Sequence, residues 1–217
     1  MIFGKIEYLN LLPFHIFMKR FLPSQQLKQS MHYYRGVPSD INNKFLKHKV
    51  DAAFISSINS KKCFKPKLGI VAKKEVTSVL VIPSDTNKTD SESATSNKLA
   101  QILHIQGEVL IGDKALLYYL HHNNYIDLAL EWHKRYKLPF VFATLCYHKR
   151  NKLIQAIETK FPQKKIKIPY YILQNAAKKT DIPPDAIKKY LKLISYKLHE
   201  KEHRSLKRFL KESKLQA

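Results

Sequence analysis

Short apolar, β-branched runs alternate with segments of helical periodicity along almost the whole chain, and few architectures accept that order. Ile2–Ile6, Val50–Ile55, Leu68–Ala72, Val76–Ile82, Val109–Ile111 and Pro139–Leu145 read as strands, with a further short one at His32-Tyr33-Tyr34. Between them, apolar residues recur at helical spacing, as in Phe14, Phe17, Met18 and Phe21, or Leu99, Ile102 and Leu103. Pro183-Pro184-Asp185 opens an amphipathic helix through Ile187, Tyr190, Leu191, Ile194 and Leu198, and a weaker basic helix follows at Leu206–Leu210. Strand and helix in turn predict an α/β fold with mixed, largely parallel sheets.

Two of the apolar runs divide the chain. Thr77–Pro83 and Pro139–Leu145 read as crossings between lobes, with the polar stretch Pro83–Ser96 beginning the inserted part. The expected division is a larger discontinuous domain, 1–81 with 143–217, and a smaller inserted domain, 82–142. Two α/β lobes joined by two crossings place a ligand cleft at their interface.

Composition removes several function classes. No run of about 18 apolar residues occurs, so no membrane span is expected. The first residues lack the basic-then-apolar layout of a secretory signal, which makes the cytoplasm the expected location. Cys63 and Cys146 are far apart and sit in no CxxC or Cys/His cluster, so neither a disulfide nor a zinc site is expected. The net charge of +22 invites a nucleic-acid reading. Yet only six of the 39 basic residues are Arg, the residue suited to bidentate phosphate and base contacts, and the lysines are spread along the whole chain. A solvated basic surface is expected, with no specific nucleic-acid partner. No catalytic triad, metal motif, P-loop or GxGxxG is present, so no metal and no cofactor are expected.

Several blocks in order then resemble one family. They are Tyr8-Leu9-Asn10; Pro38-Ser39 followed by Asp51-Ala52-Ala53; Ser78-Val79-Leu80; Ser93-Ala94-Thr95-Ser96; Ile111-Gly112-Asp113-Lys114; Glu131-Trp132; Leu138-Pro139-Phe140-Val141-Phe142-Ala143; and Tyr190, Tyr196 and Phe209. The set is similar to the chorismate dehydratases of the futalosine route to menaquinone, within the class with a type II periplasmic-binding-protein-like fold. That resemblance implies a hydro-lyase converting chorismate to 3-[(1-carboxyvinyl)oxy]benzoate. The sister dihydroxynaphthoate synthase activity and a non-catalytic protein that binds a small anion are the alternatives.

Chorismate carries two carboxylates, and its dehydration removes the C4 hydroxyl and the C3 proton to make an aromatic ring. Such a substrate needs amide, hydroxyl and helix-end groups around it. Asn10, in a loop leaving a strand for a helix, and Ser78, a hydroxyl in an apolar run, are the candidate catalytic residues. Thr95 and Ser96 at a helix start, Ser56 and Ser57 after a strand, Gly112 and Asp113 at a turn, and Phe142 as a wall are the candidate substrate contacts. No side chain stands out as a base. The expectation is therefore that the enolpyruvyl carboxylate takes the C3 proton, held by Asn10 and Ser78.

Overall fold

The computed structural model describes residues 1–22, 24–26, 28–29, 34–63, 65–164 and 166–215. Strand β1 (Phe3–Ile6) runs into a 3-10 turn (Leu9–Leu11) and α1 (Leu12–Phe21). There follow β2 (Arg35–Gly36), α2 (Pro38–Leu46), β3 (Ala52–Ser56), a second 3-10 turn (Ser57–Lys62) and β4 (Leu68–Ala72). The middle of the chain forms β5 (Val79–Ile82), α3 (Ala94–Leu103), β6 (Glu108–Ile111), α4 (Gly112–His121), β7 (Ile126–Asp127) and α5 (Leu128–Tyr136). It returns through β8 (Phe140–Tyr147) to α6 (Lys152–Lys160), α7 (Tyr170–Thr180), α8 (Pro184–Leu193), β9 (Ile194–Lys197) and α9 (Glu200–Leu215).

Two sheets hold these strands, in the orders β2-β1-β3-β8-β4-β9 and β6-β5-β7. The protein is thus a two-lobed α/β molecule. Strand β5 pairs only within the small sheet and β8 only within the large one, so the crossings run through residues 73–78 and 137–139. Every residue of β3 and β4 is buried, as continuous apolar strands covered on both faces should be.

Strand sense departs from the expectation of largely parallel sheets. Strand β1 is parallel to β2 and β3, whereas β8 is antiparallel to β3 and β4, β9 to β4, and β5 to both β6 and β7. Alternation dictates parallel pairing only where consecutive strands share a sheet through a crossover helix. Here β8 arrives from the other lobe and enters between β3 and β4 running against both.

Two helical expectations also shift. The helix expected to run to Leu198 stops at Leu193, and Ile194–Lys197 becomes an edge strand on β4. Ile194 and Leu198 fit a helical period, but the open edge of β4 offered unpaired backbone groups, and pairing with them won. The final helix is longer than Leu206–Leu210 because Glu202 accepts the His199 N–H at 2.9 Å, capping its start. Of the strand expected at His32-Tyr33-Tyr34, His32 and Tyr33 lie outside the described residues, and the described strand is Arg35–Gly36.

The largest correction is covalent. Cys63 and Cys146 are joined by a disulfide, with Cα atoms 5.4 Å apart and 83 residues between them in sequence. It ties the end of the second 3-10 turn to β8.

Aromatic packing joins the lobes. Trp132 of α5 meets Phe140 of β8 edge-on at 5.2 Å, Phe140 meets Phe209 of α9 at 5.2 Å, and the Trp132 indole N–H donates to Ser205 Oγ at 3.0 Å. The C-terminal helix packs on both β8 and α3 and so bridges the two lobes. Aromatic contacts of this kind add about 0.5–1.5 kcal/mol each beyond burial.

Candidate active site

Between the lobes lies a hollow of about 50 Å³ whose walls include Asn10, Ser56, Ser78, Ser96, Gly112 and Phe142. Most of them arrive at the end of a regular element, and Phe142 stands within β8. Asn10 sits in the 3-10 turn between β1 and α1, Ser56 ends β3, Ser96 lies in the first turn of α3, and Gly112 opens α4. Ile70, Val76, Val79 and Ile111 complete an apolar surround.

Ser78 is aimed by its neighbours. Thr77 has φ 60°, a conformation that costs a β-branched residue energy. Asp127 offsets that cost by accepting the Val76 and Thr77 N–H groups at 2.8 and 2.7 Å, while also capping α5 through the Leu130 N–H. Burial pushes the Asp127 carboxyl above its usual range, and these backbone donors pull it back. The Ser78 carbonyl accepts the Gly112 N–H at 2.8 Å, so the crossing and the α4 start are one unit.

The hydroxyls that face the hollow are pre-set as donors. The Ser56 N–H can only donate, and it donates to Asn42 Oδ1 at 3.0 Å. Asn42 Nδ2 therefore faces Ser56 Oγ, 2.7 Å away, and leaves the Ser56 proton for the hollow. Ser93 Oγ–H donates to Ser96 Oγ at 2.8 Å while accepting the Ser96 N–H, with the same result at Ser96. Ser78 Oγ pairs with the Tyr190 hydroxyl at 2.9 Å.

Asn10 departs from its expected part. Its side chain hydrogen-bonds the Tyr190 hydroxyl, and its Oδ1 is buried with no partner among the described residues. It therefore presents an acceptor to the hollow, which does not suit a carboxylate.

A charged rim surrounds this neutral interior. The Tyr8 hydroxyl donates to Glu92, and the Tyr8 ring covers Gly112. A Cβ at Gly112 would lie 2.8 Å from that ring, and its φ of 66° also favours glycine. Lys114 bonds Asp90 at 2.7 Å and approaches Glu92 at 3.8 Å. Asp113 accepts the Leu9 N–H at 3.1 Å across the lobes. Burial lifts its carboxyl to about 6, with the Leu9 donor opposing and Glu92 adding to the rise.

Three expected contacts fall outside the hollow. Ser57, fully buried, donates to the Val141 carbonyl at 2.6 Å; Thr95 Oγ1 accepts the Ile58 N–H at 3.2 Å between the lobes; and Asp113 belongs to the rim. Each is sequence-adjacent to a residue that does line it. Tyr190, Asn42 and the Tyr8 hydroxyl carry parts the sequence did not assign. Their only signal was a polar group in an otherwise apolar period. His15, one turn into α1, bonds the Ile6 carbonyl at 2.8 Å. Among the described residues, no group of His, Cys, Asp and Glu is placed to hold a metal ion, and no helix is long and apolar enough to cross a membrane.

A family model described as menaquinone biosynthesis matches residues 1–107 and 104–214. The chain is 48% identical to a curated chorismate dehydratase of Campylobacter jejuni over 99% of its own length and 98% of that protein's. A crystal structure of an Archaeoglobus fulgidus protein superposes with a TM-score of 0.61 at 11% identity, covering 99% of this chain and 96% of the other, a likeness of fold alone.

Proposed function

The chain belongs to the menaquinone biosynthesis family, and on that premise we propose that its cleft dehydrates chorismate to 3-[(1-carboxyvinyl)oxy]benzoate. The observation that carries this reading is the make-up of the hollow. Its polar lining is hydroxyl and amide, its walls are apolar, and Tyr8 is the one ionisable side chain among the described residues that line it. That phenol is occupied with Glu92 and held protonated by burial.

Donors set in a dry hollow stabilise oxyanions without reorganising. In this reading Ser78, Ser96 and Ser56 donate to the substrate carboxylates, with the α3 N-terminus behind Ser96 adding positive potential. Asn10 Oδ1 accepts the C4 hydroxyl, the substrate's one strong donor. Phe142 and the aliphatic walls flank the ring.

With no carboxylate, imidazole or amine lining the hollow among the described residues, the enolpyruvyl carboxylate takes the C3 proton. The electron pair left at C3 forms the new ring double bond as the C4–O bond breaks. The departing hydroxide joins the released proton as water, and aromaticity draws the step forward. The hollow is far below the roughly 300 Å³ of ordinary ligand sites, so the lobes must part to admit this substrate.

The cytoplasm, where biosynthetic intermediates of this kind are made, is the proposed place of work. The Cys63–Cys146 bond would be exposed to reducing conditions there.

The test is to incubate the purified protein with chorismate and follow products by chromatography. Stoichiometric loss of chorismate to the benzoate supports the proposal. Thermal stabilisation by chorismate without turnover leaves only an anion-binding protein and defeats it.

A further inference from the structure

Tyr190 stands on α8, in the C-terminal third of the chain, yet its buried hydroxyl sits between the two candidate catalytic side chains. It is 2.9 Å from Ser78 Oγ and also hydrogen-bonds the Asn10 side chain. Resting on the dehydratase reading above, we propose that Tyr190 is a positioning residue that makes Ser78 a donor and Asn10 an acceptor toward the substrate.

The argument follows one proton at a time. Asn10 Oδ1 is buried and meets no partner among the described residues, so the amide engages Tyr190 through Nδ2, which can only donate. A phenol oxygen that accepts from Asn10 turns its own proton toward its other neighbour, Ser78 Oγ. Ser78 accepts that proton's hydrogen bond and has its own proton left for the hollow. The two bonds form a one-way chain, each polarising the next, and it continues through the Ser78 proton to the substrate.

The chain is held in place from both ends. The Tyr196 hydroxyl donates to the Asn10 backbone carbonyl at 2.6 Å, which stops the 3-10 turn from swinging the amide away. The Asp127-braced turn holds Ser78 from the other side. Burial pushes the Tyr190 phenol upward, so it stays a neutral donor at any working pH. Reversing the chain would present the substrate with a donor at Asn10 and an oxygen lone pair at Ser78, the wrong match for an oxyanion beside a hydroxyl. Tyr190 thus selects which of two chemically possible arrangements the site adopts.

Tyr190→Phe keeps the ring and deletes the hydroxyl. The expected result is a kcat for chorismate lowered about 10–100-fold with KM changed by less than about threefold. In a Ser78→Ala background the same substitution should cost clearly less than in the wild type, because the Ser78 arm of the link has already been cut and only the Asn10 arm is left to lose. Unchanged kcat, or a full additive loss in the double variant, overturns the proposal. Should Tyr190→Phe fail to fold, by circular dichroism, 3,5-difluorotyrosine at position 190 preserves shape and sharpens the donor. A change in kcat then supports the proposal, and an unmoved kcat overturns it. Wild-type protein that does not dehydrate chorismate defeats the underlying reading instead, and is seen before any variant is made.

Discussion

Two polar networks meet at Tyr8 and Gly112, and they are made of opposite kinds of group. Inside the hollow, Ser56, Ser78, Ser96 and Asn10 are neutral, and their orientations are set by buried partners. On the rim, Tyr8, Glu92, Asp90, Lys114 and Asp113 are ionisable and bond across the two lobes or beside the seam. The difference separates two tasks. On the proposed reaction, in which a carboxylate of the bound dianion moves the proton, the site is best lined by groups whose charge does not change. A seam that must open and shut is best closed by contacts that water can replace at modest cost.

The sharpest way to break this division is to remove an interior donor. Ser78→Ala should lower kcat about 10²–10³-fold, as loss of an oxyanion donor does elsewhere, with a small change in melting temperature. A variant that keeps kcat and loses only affinity would move Ser78 from the chemistry to the rim's kind of work. The measurement is steady-state kinetics beside a thermal melt.

Asp113 tests the rim through pH. Its folded-state value of about 6 stands above the ordinary 3.8, chiefly through burial. Below about pH 4 both folded and unfolded states hold the proton, and the group contributes nothing. Between about 4 and 6 the unfolded chain gives up the proton first, so stability falls as pH rises, and above about 6 the full penalty is present. Asp113→Asn keeps an acceptor for the Leu9 N–H and removes the charge. At pH 7 it should be more stable than the wild type by up to about 3 kcal/mol, with the gap closing toward pH 4. Parallel denaturant titrations at pH 4 and 7 check this, and a gap that does not vary with pH refutes it.

How much of this was readable beforehand differs between the two networks. Most of the strands, the two-lobed order and the interior positions could be located, because Asn10, Ser56, Ser96 and Gly112 end or follow a strand or begin a helix, while Ser78 and Phe142 stand in or beside apolar runs. The sense of β8 could not, since its sheet neighbours β3 and β4 lie far back in the chain. The strand β9 was hidden inside a helical period. Tyr190 fits the apolar face of α8, and nothing within its own helix shows that its hydroxyl meets a serine 112 residues away. The pairing of Cys63 with Cys146 is equally remote in sequence. Ser57, Thr95 and Asp113 missed the hollow by a single residue, because adjacent residues on a turn or helix point in different directions.

The smallest expected effect sharpens the comparison most finely, because Tyr8 belongs to both networks. Its ring lines the hollow over Gly112, while its hydroxyl reaches out to Glu92. Tyr8→Phe keeps the ring and removes the latch, and Glu92→Gln keeps a partner but removes its charge. If the rim only governs closure, each variant weakens the closed state by about 1 kcal/mol, raising KM roughly fivefold and leaving kcat nearly unchanged. The two together should cost little more than either alone, since both act on the same Tyr8–Glu92 contact. A collapse of kcat in Tyr8→Phe with KM preserved would place that hydroxyl among the catalytic groups, and the boundary between neutral interior and charged rim would have to be redrawn through Glu92.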